Sequence, residues 1–146
     1  MSFERFLAEG RLRPRRTRKE DVRHLLRIAE RDLADAVVAG LSPDRRFLIA
    51  YDAALTLATI PLFCAGYETH GAGHHWVVFQ LLSHFMGEET SELATYLESC
   101  RTKRNVGTYD RGGEISETEA DELSTEVGDF KAQVERWVRA VHPEYS

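Results

Sequence analysis

Cysteine is scarce: Cys64 and Cys100 are the only two in 146 residues. They lie far apart and match no metal-ligand spacing, which excludes a disulfide framework and a zinc cluster built on thiolates. Both fall on apolar helix faces, where a free thiol packs like a small hydrophobe. Alternating runs of β-branched residues between turn signals are absent, so nothing argues for a sheet. No apolar run approaches the ~20 residues that span a bilayer; the most apolar stretch, Ala53 to Ala65, is short and contains Pro61. The basic N-terminus has no apolar region behind it, so a signal peptide is not expected and the chain is placed in the cytoplasm, off the membrane. Internal repeats and low-complexity segments are also lacking, and no cofactor is expected.

What is present suits one domain. A 42% hydrophobic content can bury a real core at this length, and 29% charged residues favour solubility. The net charge of −5 is unevenly spread. Residues 1–20 carry seven basic side chains against three acidic ones, and the other 126 carry 12 against 21. A basic arm on an acidic body can touch nucleic acid, or lie on its own body or a partner's. The acidic body is a poor general binder of polyanions, which favours the second reading. The arm is taken as residues 1–19. In it Phe3, Phe6 and Leu7 form a short helical turn that docks on the core, Gly10 closes the turn, and Arg11 to Arg16 is extended. Residues 20–146 form the helical domain.

Helix punctuation is frequent. Thr17 to Glu20 has the Ser/Thr-x-x-Glu form of a capping box. It opens a helix that runs to about Ala39, with Val22, Leu25, Leu26, Ala29, Leu33, Ala36 and Val37 on one stripe. Ser42-Pro43 starts the next, a capping serine followed by proline at the first helical position. That helix reaches about Ala65 and is apolar almost all round from Phe47, so it is central or faces a second subunit. A third runs from about His74 to Met86, and a fourth begins near Thr90 or Ser91. Ser116 to Glu119 is a second capping box. The fifth helix then keeps three- and four-residue steps from Ala120 through Phe130 to Val141, and Pro143 ends it. Five helices on short loops predict an all-α, up-and-down antiparallel bundle.

The fourth helix concentrates the chemistry. Leu93, Leu97, Cys100 and Arg104 share one face. The face starts apolar, then turns cationic through Arg101, Lys103 and Arg104, and is followed by Asn105. Gly107 lets the helix end or bend, and Tyr109 comes just after. Core helices normally end with their charges toward water. A buried-side stripe that ends in an arginine, an amide and a phenol marks a candidate site.

The string RTKRNVGTY, residues 101–109, resembles the signature of HEPN domains (higher eukaryotes and prokaryotes nucleotide-binding). That signature has an arginine, a polar residue directly after it, and a histidine a few positions on, near the end of a late helix. Arg104 and Asn105 match the first two, and Tyr109 stands where the histidine would be. YDAALTLA, from Tyr51, is similar to the aromatic, alanine-rich second helix of these domains. GHHWVVFQLL, from Gly73, is similar to the start of their third. The resemblance covers most of residues 20–140. It implies an all-helical homodimer that brings two copies of the motif into one cleft for RNA or a nucleotide. It further implies a metal-independent endoribonuclease, a toxin or defence component commonly paired with a nucleotidyltransferase antitoxin. Carried onto this chain, it gives Arg104, Asn105 and Tyr109 the catalytic places and Arg101 and Lys103 the phosphate contacts. The alternative is a non-catalytic interaction subunit in which Tyr109 replaces the histidine.

Metal-independent RNA cleavage uses the 2′-OH as nucleophile and needs a base, an acid and positive charge at the phosphate. A guanidinium at Arg104 suits the last task, and Asn105 can orient a phosphate oxygen or hold Arg104. A tyrosine with an ordinary pKa near 10 donates at neutral pH but is a poor base. His70, His74 and His75 cluster in and after a glycine loop without enough further ligands for zinc. His74 or His75 either caps or packs the helix start, or lies near the motif and supplies the missing base. Asp52 is the one acid in a strongly apolar stretch, and Arg104 or Arg101 is its natural partner. Tyr51, Tyr67 and Trp76 give a third option, a small-ligand pocket, although aromatics at such spacing usually belong to a core.

Overall fold

The Ser42 hydroxyl accepts a hydrogen bond from the Arg45 amide at 3.2 Å, Pro43 fills the first helical position, and α3 runs from there over Pro43–Cys64. The structure, a computed structural model, describes the backbone of residues 3–109 and 115–146, with side chains described outside 105–109. The other helices are α1 (Phe3–Ala8), α2 (Lys19–Asp35), α4 (His74–Met86), α5 (Ser91–Tyr109) and α6 (Glu117–Val141). Short 3-10 turns cover Glu88–Thr90 and Pro143–Tyr145. The protein is an all-α bundle, with α3 against α2, α4, α5 and α6.

That central position explains the composition of α3. Eleven of its 22 residues are buried, Tyr51, Leu57, Ile60 and Leu62 among them. Its length and a mean hydropathy of 1.8 also match a membrane span, with 61% of the window buried inside the fold. The expectation that no apolar run nears that length is therefore corrected. Between Phe47 and Cys64 the only charge is Asp52, because four neighbouring helices cover most of the surface that would otherwise need polar residues. Buried with it in one core are Val22 and Ala29 of α2, Phe79 and Leu82 of α4, Leu97 of α5, and Leu123, Phe130 and Val134 of α6. Cys64 and Cys100 are buried free thiols.

The capping serine of α6 behaves as its sequence says. Ser116 Oγ accepts from the Glu119 amide at 3.0 Å, and Glu119 Oε1 accepts from the Ser116 amide at 3.1 Å. At α2 the box is shifted by one residue. The Thr17 hydroxyl turns away and donates to the Phe63 carbonyl at 2.7 Å, while Asp21 rather than Glu20 accepts from the Arg18 amide, at 2.9 Å. The far end of α2 is also shorter than expected. The helix stops at Asp35 because the next carbonyl, Ala36, accepts from Arg46 Nε at 2.9 Å. Val37 is consequently 61% exposed instead of on the buried stripe. Helix α5 passes through Gly107 to Tyr109.

A small sheet contradicts the expectation of none. Leu12–Pro14 (β1) pairs antiparallel with Tyr67–Thr69 (β2), Arg13 opposite Glu68. Three-residue strands, one ending in proline, are too short to show an alternating pattern. The pairing is reinforced by side chains: Arg13 Nε lies 2.6 Å and Arg15 Nη1 3.3 Å from the Glu68 carboxylate. Arg15 also reaches Asp21 at 3.1 Å and sits 3.8 Å over the Phe63 ring. Together with Phe6, which is fully buried, these contacts lay the basic N-terminal segment on its own body.

Candidate functional site

Arg104 comes from the fourth turn of α5, one turn beyond Arg101, so the two guanidiniums share a face. Arg104 is half-buried, and its guanidinium carbon lies 5.4 Å from the centroid of the Tyr51 ring, within cation–π range. Tyr51 belongs to α3 and is fully buried. Its hydroxyl is 3.0 Å from Nδ1 of His75, in the first turn of α4. His74 meets His75 edge-on at 4.6 Å. Three helices thus bring one residue each into a chain: Arg104 over Tyr51, and Tyr51 bonded to His75. Gly73 at φ +76° turns the backbone into α4 and presents its first turn to this spot. A groove of about 190 Å³ opens here, lined by His74, His75, Trp76, Arg101 and Arg104. Arg104 also borders a second hollow of about 270 Å³ with Arg45, Phe47, Leu48 and Lys103.

The electrostatics follow from this packing. Burial is the largest influence on His75 and pushes its pKa down; His74, Arg104 and Arg101 push it the same way, and Glu98 opposes them. The imidazole is therefore neutral at pH 7. Burial pushes the Tyr51 hydroxyl well above its ordinary value, against the pull of Arg104, so the phenol keeps its proton. Asp52, one residue on and exposed at its surface, has its carboxyl raised by partial desolvation while Arg104 draws it down. Arg104 is accordingly an electrostatic neighbour of Asp52, as the sequence suggested.

The other expected site residues are placed as follows. Arg101 donates Nε to Glu98 Oε1 at 2.8 Å and brings Nη2 to 2.6 Å of the same oxygen. Lys103 pairs with Glu119, the carboxylate that also caps α6. Asn105 and Tyr109 lie within α5, and their side chains fall outside the described residues. His70 turns toward Arg13, with Nδ1 3.4 Å from its Nη1, and does not join His74 and His75. Among the described residues no three His, Cys, Asp or Glu side chains are placed to hold a metal. The aromatic trio does not form one pocket: Tyr51 is bonded to His75, Trp76 lies T-shaped to Phe6 at 5.5 Å while lining the groove, and Tyr67 lies T-shaped to Phe3 at 5.1 Å.

Sequence reasoning underrated Tyr51 and His75. The available signal was a tyrosine alone in an apolar helix, and a histidine pair at a helix start where cations are normally disfavoured. Comparison with protein-family models, curated proteins and solved structures gives no match to the chain.

Proposed function

We propose that the chain is a HEPN-type dimeric protein that binds RNA or a nucleotide by its phosphate in the groove at the end of α5. The observation that carries this reading is the half-buried Arg104, held against Tyr51 beside His75 and Arg101 in one open groove. A guanidinium drawn toward an aromatic ring by cation–π attraction is restrained before any ligand arrives, and its donors suit phosphate oxygens. The first turn of α4 adds unsatisfied N–H groups on the same side.

The enzymatic form of this reading is a metal-independent endoribonuclease acting in the cytoplasm as a toxin or defence component, opposed by a nucleotidyltransferase antitoxin. In it the 2′-OH loses its proton to a base and attacks phosphorus. The 5′-oxygen leaves with a proton from an acid, and a 2′,3′-cyclic phosphate remains. Arg104 would stabilise the crowded phosphate and Asn105 orient it. A second reading, a non-catalytic interaction subunit for a nucleotidyltransferase, is favoured by two ion pairs. Glu98 and Glu119 already engage Arg101 and Lys103, the two cations that would otherwise strengthen the field around Arg104.

The test is RNA binding and cleavage in EDTA, with wild type beside Arg104→Ala. Loss of one phosphate-binding guanidinium lowers affinity by about tenfold or more and flattens the salt dependence by about one phosphate contact. Cleavage by wild type alone selects the enzyme. Arg104-dependent binding without cleavage selects the interaction subunit. Equal binding by both proteins removes the site.

A further inference from the structure

Tyr51 Oη is fully buried, and among the described residues its hydrogen-bond partner is Nδ1 of His75. A buried hydroxyl proton with no acceptor is costly. Arg104 over the ring offers only donors, and Glu98, whose charge also reaches the hydroxyl, is engaged by Arg101 and makes no hydrogen bond to it among the described residues. The hydroxyl proton therefore goes to Nδ1. A neutral imidazole that accepts at Nδ1 carries its own hydrogen on Nε2. We propose that His75 serves the groove as a neutral hydrogen-bond donor, its Nε2–H given to a phosphate oxygen beside Arg104, and is not the base of a cleavage reaction.

The inference rests on the phosphate-binding reading above and narrows it. It assigns His75 a binding role and gives Tyr51 a positioning role, because the phenol fixes the tautomer. The cation over the Tyr51 ring polarises the O–H and makes it a stronger donor to Nδ1. The groups that face the imidazole are Tyr51 from α3, His74 from its own helix, and Glu98, Arg101 and Arg104 from α5. Positive neighbours outnumber the single acid, and the start of α4 adds partial positive charge. All of these favour the uncharged ring. A neutral imidazole donor at a helix N-terminus is a known way to polarise an oxygen without proton transfer. The ligand chemistry is a phosphate oxygen, either from a free or terminal phosphate or from the backbone of a polynucleotide.

Two measurements on the full chain test the proposal. Nitrogen–proton correlation spectra of the imidazoles should show His75 as the Nε2–H tautomer near neutral pH. Tyr51→Phe, close in shape, should lose that preference and move the His75 titration upward, since the donor that favours the neutral ring is gone. Binding is then followed with inorganic phosphate, a nucleoside monophosphate and a deoxy-dinucleoside monophosphate, which lacks the reactive 2′-OH. Tightest binding by the dinucleotide identifies a polynucleotide backbone, and tightest binding by either of the others a terminal or free phosphate. His75→Ala should weaken the best ligand about tenfold. His75→Gln, whose side-chain amide is a neutral donor, should stay within about threefold of wild type. An Nδ1–H or doubly protonated ring at pH 7 overturns the donor assignment. So does a glutamine variant as weak as the alanine one. If none of the three probes binds wild type, the phosphate-binding reading fails with the ligand half of this proposal, while the tautomer still decides the Tyr51–His75 half.

Discussion

A single guanidinium, Arg46, joins three helix ends. Its Nε binds the Ala36 carbonyl past the end of α2, and its two terminal nitrogens pair with Glu117 and Asp121 at the start of α6. The side chain is only 11% exposed, whereas both carboxylates are largely in water, so the ion pairs contribute little and the backbone bond dominates. Arg46→Ala should destabilise the fold by about 2 kcal/mol, measured by urea unfolding, and Glu117→Gln by less than about 0.5 kcal/mol. At His75 the sign of a pH effect can be worked out. The folded ring titrates below its ordinary value near 6.5, so between the two values the unfolded chain holds the extra proton. The resulting stabilisation is complete above the unfolded pKa and disappears as pH falls through the folded one. The melting temperature of wild type should therefore drop more steeply than that of His75→Gln between about pH 7 and pH 5; parallel curves would contradict the shift. Sequence placed Arg104 on the inward face of its helix and found the serine caps, because those depend on local spacing. It missed the roles of Arg46 and Tyr51, whose partners lie on other helices, and it treated His75 as one option among several.

Among the elements, the N-terminal segment differs most from a plain reading of charge. Its arginines left open nucleic acid or a resting place on the body or a partner, with the second favoured, and Arg5 and Arg11 flank Glu9 while Arg15 bridges Asp21 and Glu68. Phe6 anchors α1 in a T-shaped contact with Trp76, which lines the groove beside His75. Phe6→Ala should cost about 3–5 kcal/mol, and calorimetry showing a loss below about 1 kcal/mol would mean that α1 is a loose appendage. The five long helices were legible from the serine caps of α3 and α6, the three-four stripes of α2 and α6, and the glycines that bound α4. The strands were not, since three residues give no period and their stability comes from Glu68, more than fifty positions away from its arginines. The end of α2 was overshot for a related reason: Val37 continues the apolar spacing, but Arg46 takes the Ala36 carbonyl at the C-cap.

For the whole molecule, one consequence of burial can be checked without knowing the function. Burial pushes the Cys64 thiol up to about 12 and the Cys100 thiol to about 11. Since the thiolate is the reactive form, a chromogenic disulfide reagent at pH 8 should find no thiol in the folded protein and two after unfolding. A fast-reacting thiol in the native protein would show that the bundle opens locally. The bundle class was readable because hydrophobic periodicity is a property of the entire chain, whereas a groove is a property of where three helices happen to meet. The antiparallel pairing of Leu12–Pro14 with Tyr67–Thr69 has an implication for biosynthesis. A ribosome releases the first strand long before its mate has been translated, so the segment holding β1 must wait, with Phe6 unsheltered, until β2 and α4 emerge. Folding of this sheet is thus sealed late, by an earlier-made segment closing over a later one.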